Sequence, residues 1–517
     1  MLWPPADASA DSLLPNAAGA TLAEQLALRY AERIGQRLLF PGARLPSVRE
    51  AARRHRVSPS TVVAAYDLLQ AQGLVQSRPQ RGFFVRNEAL AGLRQHSPGL
   101  QSEGTPAQAL GQPVPAAMAP ADATTLIRSM FQSQGRPPAP GMGMLPEDWL
   151  DGPLLQRALR QVLGRAHDAS AWLRYGDPAG DPLLRGALSR RLADLGIAAA
   201  PSQIVTTVGA TQALDLVSRT LLRPGDAVLV DEPGWAVEFA RLALSGLRVL
   251  PVPRGPDGPD LAVLEALLLA HRPRLYVTVS VLHNPTGGSL TPAVAHRLLV
   301  LAEQHDLTIA EDDTYAWLAP PHATRLSQLD GLKRTLCISG FSKILTPQWR
   351  VGFVAASPAL AERLTDTKLL STLTSAAPLE QAVAHCLDQG GLRRHADRVT
   401  QRLAAARAST TQLALQAGCR LAAPPNGLFG WVDVGTDTDA LAQSLLDEGW
   451  LIAPGSLFHV VPRPTSLMRV NFATAREPRF WNRLAALRDA RLRSSAARAS
   501  ILPSVDKSVA AGPSEGS

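Results

Sequence analysis

Apolar residues recur at helical spacing between Leu22 and Arg37, with Leu22, Leu26 and Ile34 sharing a face, Tyr30 between them, and Pro41-Gly42 punctuating the end. A second short helix is expected from Ser47, whose hydroxyl caps it while Glu50, three residues on, reaches back as the other half of a capping box. A third opens at Ser58 as N-cap with Pro59 in the first helical position. It buries Val62, Tyr66 and Leu69, leaves Ser60, Thr61 and Ala64 outward, and closes at Gly73. Two short apolar runs, Leu74–Gln76 and Phe83–Val85, flank Ser77-Arg78-Pro79-Gln80-Arg81-Gly82 and read as a hairpin. From Glu88 the pattern dissolves into Ala, Gly, Pro, Gln and Ser, which reads as a flexible linker over 88–139. Beyond it, strand-like runs alternate with helical patterns: Ile204–Val208, Ala227–Val230, Leu247–Val252, Arg274–Val281, Leu307–Ala310, Thr335–Ser339 and Gly352–Ala355. That alternation predicts an α/β domain on a mostly parallel sheet, with its chemistry in loops beyond the carboxyl ends of the strands. The Ser/Ala-rich end, 496–517, is expected to be disordered.

Charge sharpens the first of these regions. Between Thr21 and Asn87 stand eleven Arg against four acids, so this stretch carries nearly all of the chain's net +8. Arginines at that density mark either a solvated face or a polyanion partner, and three helices followed by a basic hairpin favour the partner. Together they read as a winged helix-turn-helix, with the third helix presented to a major groove and the wing to the backbone. The run PGARLPSVREAARRHRVSPSTVVAAYDLLQAQGLVQSRPQRGFFVR resembles the DNA-binding domain of GntR-type bacterial regulators, over residues 18–87. The resemblance implies operator DNA as the partner, with contacts from Arg44, Ser47, Arg49, Ser58, Ser60, Thr61, Arg78, Arg81 and Gly82. One departure is Pro59, where the family often has arginine after the capping serine.

With 46% apolar and 19% charged residues over 517, the composition excludes a disordered or collagen-like chain and the length allows two or more domains. Cys337, Cys386 and Cys419 are too widely spaced for a disulfide framework or a zinc pattern, so a reducing compartment and no metal are expected. No apolar run approaches the ~20 residues that span a bilayer, and the first residues lack a signal-peptide pattern. The expectation is a cytoplasmic protein with no membrane partner.

The strand-end loops hold the unusual residues. Gly209-Ala210-Thr211-Gln212 follows the first strand and opens a helix, a weak phosphate-binding signal by itself. Asp231-Glu232-Pro233-Gly234-Trp235 follows the second, His283-Asn284-Pro285-Thr286-Gly287 the fourth, and Asp312-Asp313-Thr314-Tyr315 the fifth. Ser339-Gly340-Phe341-Ser342-Lys343 follows the sixth, with Arg350 seven residues beyond. Of four lysines in the chain, Lys343 is the one at a strand end among small residues, as a Schiff-base amine requires. In order, the set resembles the fold type I pyridoxal 5′-phosphate (PLP) enzymes, the aspartate aminotransferase family, over residues 140–495 with a small subdomain at about 365–495.

That resemblance implies PLP as cofactor, held by Lys343 as an internal aldimine, with Asp312 on the pyridine nitrogen. Among Glu311, Asp312 and Asp313 the family spacing to Tyr315 selects Asp312. Tyr315 and Asn284 would meet the ring's phenolic oxygen, and Trp235 would stack on the ring in place of the tyrosine common among relatives. Gly209, Ala210, Thr211, Ser342 and Arg350 would take the phosphate, and Tyr175 would reach the phosphate site of a second subunit in a homodimer. Arg469, in LMRVNFA, would clamp a substrate carboxylate. The family's Gly-x-Pro-Asp turn is replaced by Gly141-Met142-Gly143-Met144-Leu145-Pro146. Both halves in this order resemble the MocR/GabR group of bacterial regulators. The expected function is a PLP-dependent transcriptional regulator that binds operator DNA and senses an amino acid or amine through an aldimine. The alternative is an active aminotransferase with an accessory DNA-binding domain.

Overall fold

The computed structural model describes residues 21–35, 39, 43–78, 82–86, 139–164 and 173–499. They fall in two units, Met1–Gln132 and Ser133–Ser517. Arg37, Arg81, the linker from 88 to 138 and residues 500–517 lie outside the described residues.

The first unit contains α1 (Leu22–Gly35), α2 (Val48–His55), α3 (Pro59–Ala71), β1 (Val75–Arg78) and β2 (Gly82–Val85). Its core gathers Leu26, Tyr30, Ile34, Val62, Tyr66 and Leu69, whereas Leu22, expected on the same face, is 52% exposed. Ser58 caps α3 by accepting from Thr61 N at 3.0 Å, with Pro59 in the first turn. Gly73, at φ +70°, follows its end, where Leu74 N donates to Leu69 O. At α2, Ser47 accepts from Glu50 N at 3.3 Å, but the Glu50 carboxylate turns to Arg54 at 3.5 Å, so the reciprocal half of the expected box is replaced by an i,i+4 ion pair. A complete box stands at α1 instead: Thr21 N donates to Glu24 Oε2 at 2.7 Å and Glu24 N to Thr21 Oγ1 at 3.3 Å. The wing gains a third edge. Leu45 N donates to Phe83 O and Val85 N to Ala43 O, each at 2.9 Å, so residues 43–45 run antiparallel to β2.

The second unit opens with α4 (Gly152–Gly164) and α5 (Pro182–Asp194). It continues through β3 (Ile204–Val208), α6 (Gly209–Leu221), β4 (Ala227–Glu232), α7 (Ala236–Leu244), β5 (Arg248–Gly255), β6 (Gly258–Pro259), α8 (Leu261–His271) and β7 (Leu275–Thr278). Next come α9 (Pro292–Gln304), β8 (Thr308–Asp312), α10 (Leu326–Asp330), β9 (Thr335–Gly340), β10 (Val351–Ala355), α11 (Pro358–Ser371), α12 (Ala377–Asp388) and α13 (Gly391–Gln416). The chain closes with β11 (Arg420–Leu421), β12 (Phe429–Asp433), α14 (Thr438–Leu446), β13 (Ala453–Pro454), β14 (Leu467–Asn471) and α15 (Pro478–Ala499), which carries helix past the expected boundary at 495.

The large sheet has the order β3-β10-β9-β8-β7-β4-β5-β6 and is parallel from β9 to β5, with β10 reversed. Successive residues on its central strands feed opposite cores. Val228, Val230, Leu275, Val277, Leu336 and Ile338 pack with α6, α7 and α11 on one face, and Leu229, Tyr276 and Ile309 with α8, α9 and α10 on the other. Burial on both faces is why these strands read as unbroken apolar runs. At about 1.5–3 kcal/mol for each fully buried aliphatic or aromatic side chain, these two layers fix the strand ends in space.

A second, four-stranded antiparallel sheet, β11-β12-β14-β13, forms the small subdomain with α14, α15 and the end of α13. Its core begins at Ala414, not near residue 365. Residues of α12 and most of α13, from Ala382 to Ala406, share a core with α4, α5 and the large sheet. The expected subdomain boundary therefore falls inside the packing of the large part, because these helices bury their apolar stripe there.

Tyr66 is fully buried and its hydroxyl donates to Pro46 O at 2.9 Å. Tyr66→Ala should destabilise the first unit by about 3–5 kcal/mol. The check is a thermal melt together with operator binding: binding should fail at a lower temperature than in the wild type, while the transition of the second unit stays in place.

Candidate functional site

The carboxyl ends of β3, β4, β7, β8 and β9 and the start of the reversed β10 lie at one edge of the sheet, and the candidate residues stand there. At one end is an anion-ready cradle. No side chain caps α6, whose first residue, Gly209, has φ +76°, so the first turn's N–H groups at Ala210 and Thr211 face outward from the helix dipole. A Cβ on Gly209 would sit 2.4 Å from Arg350 Nη2, and one on Gly352 would sit 2.5 Å from the Gly209 carbonyl carbon. Two glycines thus let the arginine and β10 close on the helix start. Arg350 donates to Ser342 Oγ at 3.1 Å and to Val208 O at 3.2 Å. Gln212 braces the turn, accepting from Val208 N at 2.6 Å and donating to Thr372 Oγ1 at 2.8 Å.

Lys343 follows β9 by three residues, and its Nζ donates to Gly143 O at 2.8 Å. Burial, then Arg469, push its ammonium down to about 8 against the pull of Asp312. Lys368 is buried and is likewise pushed down to about 8, but its Nζ meets Thr206 Oγ1 at 3.4 Å and none of the groups at this edge. Lys333 is exposed, and Lys507 lies outside the described residues.

Three adjacent acids take three different places. Glu311 is consumed by Ser280, the Leu326 and Ser327 amides and the Ser327 hydroxyl. Asp313 is paired with the buried Arg325 at 2.7 Å. Among the described residues Asp312 is bonded only by Thr314, through its amide at 3.0 Å and its hydroxyl, and burial raises its carboxyl above the ordinary value against those bonds. Tyr315 is buried, its hydroxyl pushed up by burial, and its ring meets Phe429 edge-on at 5.5 Å.

Arg469 lies within β14 and is 1% exposed. Nη1 donates to Asn284 Oδ1 at 3.0 Å and Nη2 to Gly141 O at 2.7 Å, while Nε has no partner. Aromatic rings surround the guanidinium: Phe429 at 4.4 Å, Phe458 at 5.2 Å and Trp235 at 5.5 Å. Among the described residues no carboxylate forms an ion pair with it, and burial pushes it down to about 10. The segment that replaced the expected turn is strapped over this group. Asn471 Nδ2 holds Met142 O at 2.9 Å and Met144 O at 2.7 Å, and Gly141 N donates to Leu451 O.

In the first unit, Arg44, Ser47, Arg49, Ser58 and Ser60 are exposed and Thr61 is half-buried. The Ser58 hydroxyl lies 2.7 Å from that of Ser60 and 2.8 Å from that of Thr61, clustering three at the start of α3. Arg44 lies over Gly82, where a Cβ would be 3.4 Å from its Nε, and the Arg78 guanidinium covers the Phe84 ring at 4.7 Å.

Residues 145–480 match the family of aminotransferases class I and II, and residues 22–85 match the gntR family of bacterial regulatory proteins. Over 467 residues the chain is 31% identical to the HTH-type transcriptional regulator YdcR of Escherichia coli, covering 87% of this chain and 94% of that one. The chain belongs to the aminotransferase class I and II family, in its MocR-type regulator branch. A second regulator of this kind, TauR of Rhodobacter capsulatus, is 30% identical, with 86% of this chain and 88% of its own covered. The crystal structure of LysN, an α-aminoadipate aminotransferase from Thermus thermophilus, shares the fold, with a TM-score of 0.65 and 24% identity over 71% of this chain and 95% of that one.

The cofactor of the MocR-type aminotransferase domain is PLP. The residues here fit it: a glycine cradle under a helix start, a half-buried lysine whose ammonium is pushed down to about 8, and a half-buried carboxylate left open by its neighbours. Tyr175 joins none of these groups and is 81% exposed. Sequence reasoning missed Gly141, Gly143 and Asn471. Two act through backbone carbonyls, and the third lies two residues after Arg469, on the same side of a strand, the one signal that could have found it.

Borohydride trapping of PLP, followed by peptide mapping across a pH series, should place the pyridoxyl group on Lys343 with half-maximal uptake near pH 8. Label on Lys368, or uptake rising toward pH 10, would displace Lys343 from this role.

Proposed function

We propose that this regulator senses an amino acid whose amine is taken up at PLP and whose carboxylate is held by Arg469. The observation that carries the reading is the buried Arg469 guanidinium, with a free Nε, no ion-pair partner among the described residues, and neutral acceptors on Nη1 and Nη2. A buried cation without a counter-charge is costly, and an incoming carboxylate relieves that cost through charge-assisted bonds. Bound PLP supplies an aldehyde that takes up primary amines and a ring that withdraws electrons from them. Lys343 holds the cofactor, and its Nζ is poised by burial to give and accept a proton near neutral pH. With PLP bound, Asp312 would hold the ring nitrogen protonated, Tyr315 and Asn284 would meet the phenolic oxygen, and Trp235 would cover the ring. Gly209, Ala210, Thr211, Ser342 and Arg350 bind the phosphate. The exposed Tyr175 serves the phosphate site of a second subunit, which makes the working form a homodimer.

Operator DNA is contacted by Arg44 beside the wing, by Ser47 and Arg49 at the start of α2, by Ser58, Ser60 and Thr61 at the start of α3, by Arg78 and Gly82 in the wing, and by Arg81 beyond the described residues. A second reading, an active aminotransferase, is favoured by one observation: the Lys343 amine and the open Asp312 carboxylate are the groups transamination needs. Keto acid formed in amounts exceeding the protein would support it.

Arg469→Ala should retain PLP and basal operator affinity but lose the effect of amino acids on that affinity. Binding to operator DNA with and without an amino acid panel reads this out, and an undiminished response would exclude the carboxylate clamp. Arg44→Ala should weaken operator binding and reduce the salt dependence by about 0.9 in the slope of log K against log salt. A changed preferred sequence would make Arg44 a base reader.

A further inference from the structure

The loop Asp231–Trp235 is held from two sides. On the sheet side, the buried Asp231 carboxylate accepts from Arg254 Nη1 at 2.8 Å, Tyr276 Oη at 2.5 Å, Thr278 Oγ1 at 2.8 Å and Val279 N at 3.2 Å. That ties the end of β4 to β5 and β7. On the other side, Glu232 Oε1 accepts from Val460 N at 2.8 Å, and Gly234 N donates to Phe458 O at 2.9 Å. His459 Nδ1 stands 3.6 Å and Arg463 Nη2 3.7 Å from the same carboxylate. Burial works against its charge, but His459, the Val460 amide and Arg463 outweigh it and hold the carboxyl below its ordinary value.

The partner loop is fixed in turn to the small subdomain. Gly455 N donates to Thr438 Oγ1 at 3.2 Å, and Ser456 Oγ donates to Asp439 Oδ1 at 2.6 Å, both at the start of α14. Each loop carries one ring of the enclosure around Arg469: Trp235 ends the first and Phe458 lies in the second. Glu232 and Gly234 are therefore the fastening that brings these two rings to the same guanidinium.

We propose that Glu232 is a positioning residue that sets the preference for amino acids over amines, by holding Trp235 and Phe458 together as a dry wall around the carboxylate clamp. Charge-assisted bonds strengthen as water is excluded. An intact wall strengthens the Arg469–carboxylate contact, and an amine without a carboxylate gains nothing from it. Glu232 does not touch the ligand. The inference rests on the reading of Arg469 as the clamp.

The test uses the full-length, PLP-loaded protein. The visible cofactor spectrum is titrated with two matched pairs, L-leucine with 3-methylbutylamine and L-phenylalanine with 2-phenylethylamine, each amine lacking any carboxylate. Glu232→Ala should weaken the amino acids by about five- to tenfold while leaving their amines within about twofold. Glu232→Gln, which keeps an acceptor for the Val460 amide, should stay near the wild type. Should the alanine variant not fold, Phe458→Leu removes one ring of the wall and should give the same split.

Equal losses for acid and amine would overturn the proposal, since a merely structural defect weakens both. Arg469→Ala separates the two readings. If it abolishes the acid-over-amine preference while the Glu232 and Phe458 variants keep it, Glu232 has no such role and the clamp stands. If Arg469→Ala leaves the preference intact, or if no acid in the wild type binds better than its amine, the clamp fails and this inference fails with it.

Discussion

Arg469 is a permanent positive charge placed inside a β-strand of the small subdomain, and most of the site is arranged around the cost of keeping it there. Water is replaced by a carbonyl at Gly141, an amide oxygen at Asn284 and the faces of three aromatic rings. Each substitute comes from a different part of the chain: the strap before α4, the loop after β7, and strands or loops on either side of the cleft. A charge that could move to solvent would make no such demand. Because it cannot, the large sheet, the small sheet and the strap must meet at one point, and the lysine that shares the strap is brought in with them.

The large sheet makes that meeting reproducible. Its strands are buried on both faces, so side chains alternate between two cores and no strand can slip by one residue without exchanging them. Asp312 ends β8, Lys343 follows β9 by three residues and the start of α6 follows β3 directly, so the layer sets where all three stand. The small subdomain has a core of its own beginning at Ala414, while Leu428, Phe429, Phe472 and Ala473 join the core of the large part.

Much of this was legible in the residues. Double burial wrote the strands as continuous apolar runs, and the capping serines and Pro59 marked the start of α3. A lysine among small residues at a strand end stood out because the chain has only four. What stayed hidden was carried by atoms common to every residue. Gly141 and Gly143 act through carbonyl oxygens, residues 43–45 pair with the wing by backbone alone, and Glu232 meets an amide 228 positions away. The three consecutive acids show the division most clearly. Sequence spacing could rank them only by likeness to a family, whereas the fold shows where the other two are used, Glu311 on α10 and Asp313 on Arg325. The Glu50 half of its capping box failed for a local reason: Arg54, one turn on, offered a charge where Ser47 offered an amide.

The reversal of β10 has a consequence for how this site can vary. Because β9 leaves the edge and β10 returns to it, Lys343 and Arg350 belong to one short excursion that begins at Gly340 and ends at Val351. Its two ends are pinned side by side by the sheet, so its length sets how Lys343 and Arg350 stand relative to each other. Asp312 ends β8, Gly209–Thr211 open α6 and Arg469 lies in β14, each on an element that carries neither of these two side chains. A residue gained or lost in this excursion therefore shifts Lys343 and Arg350 together.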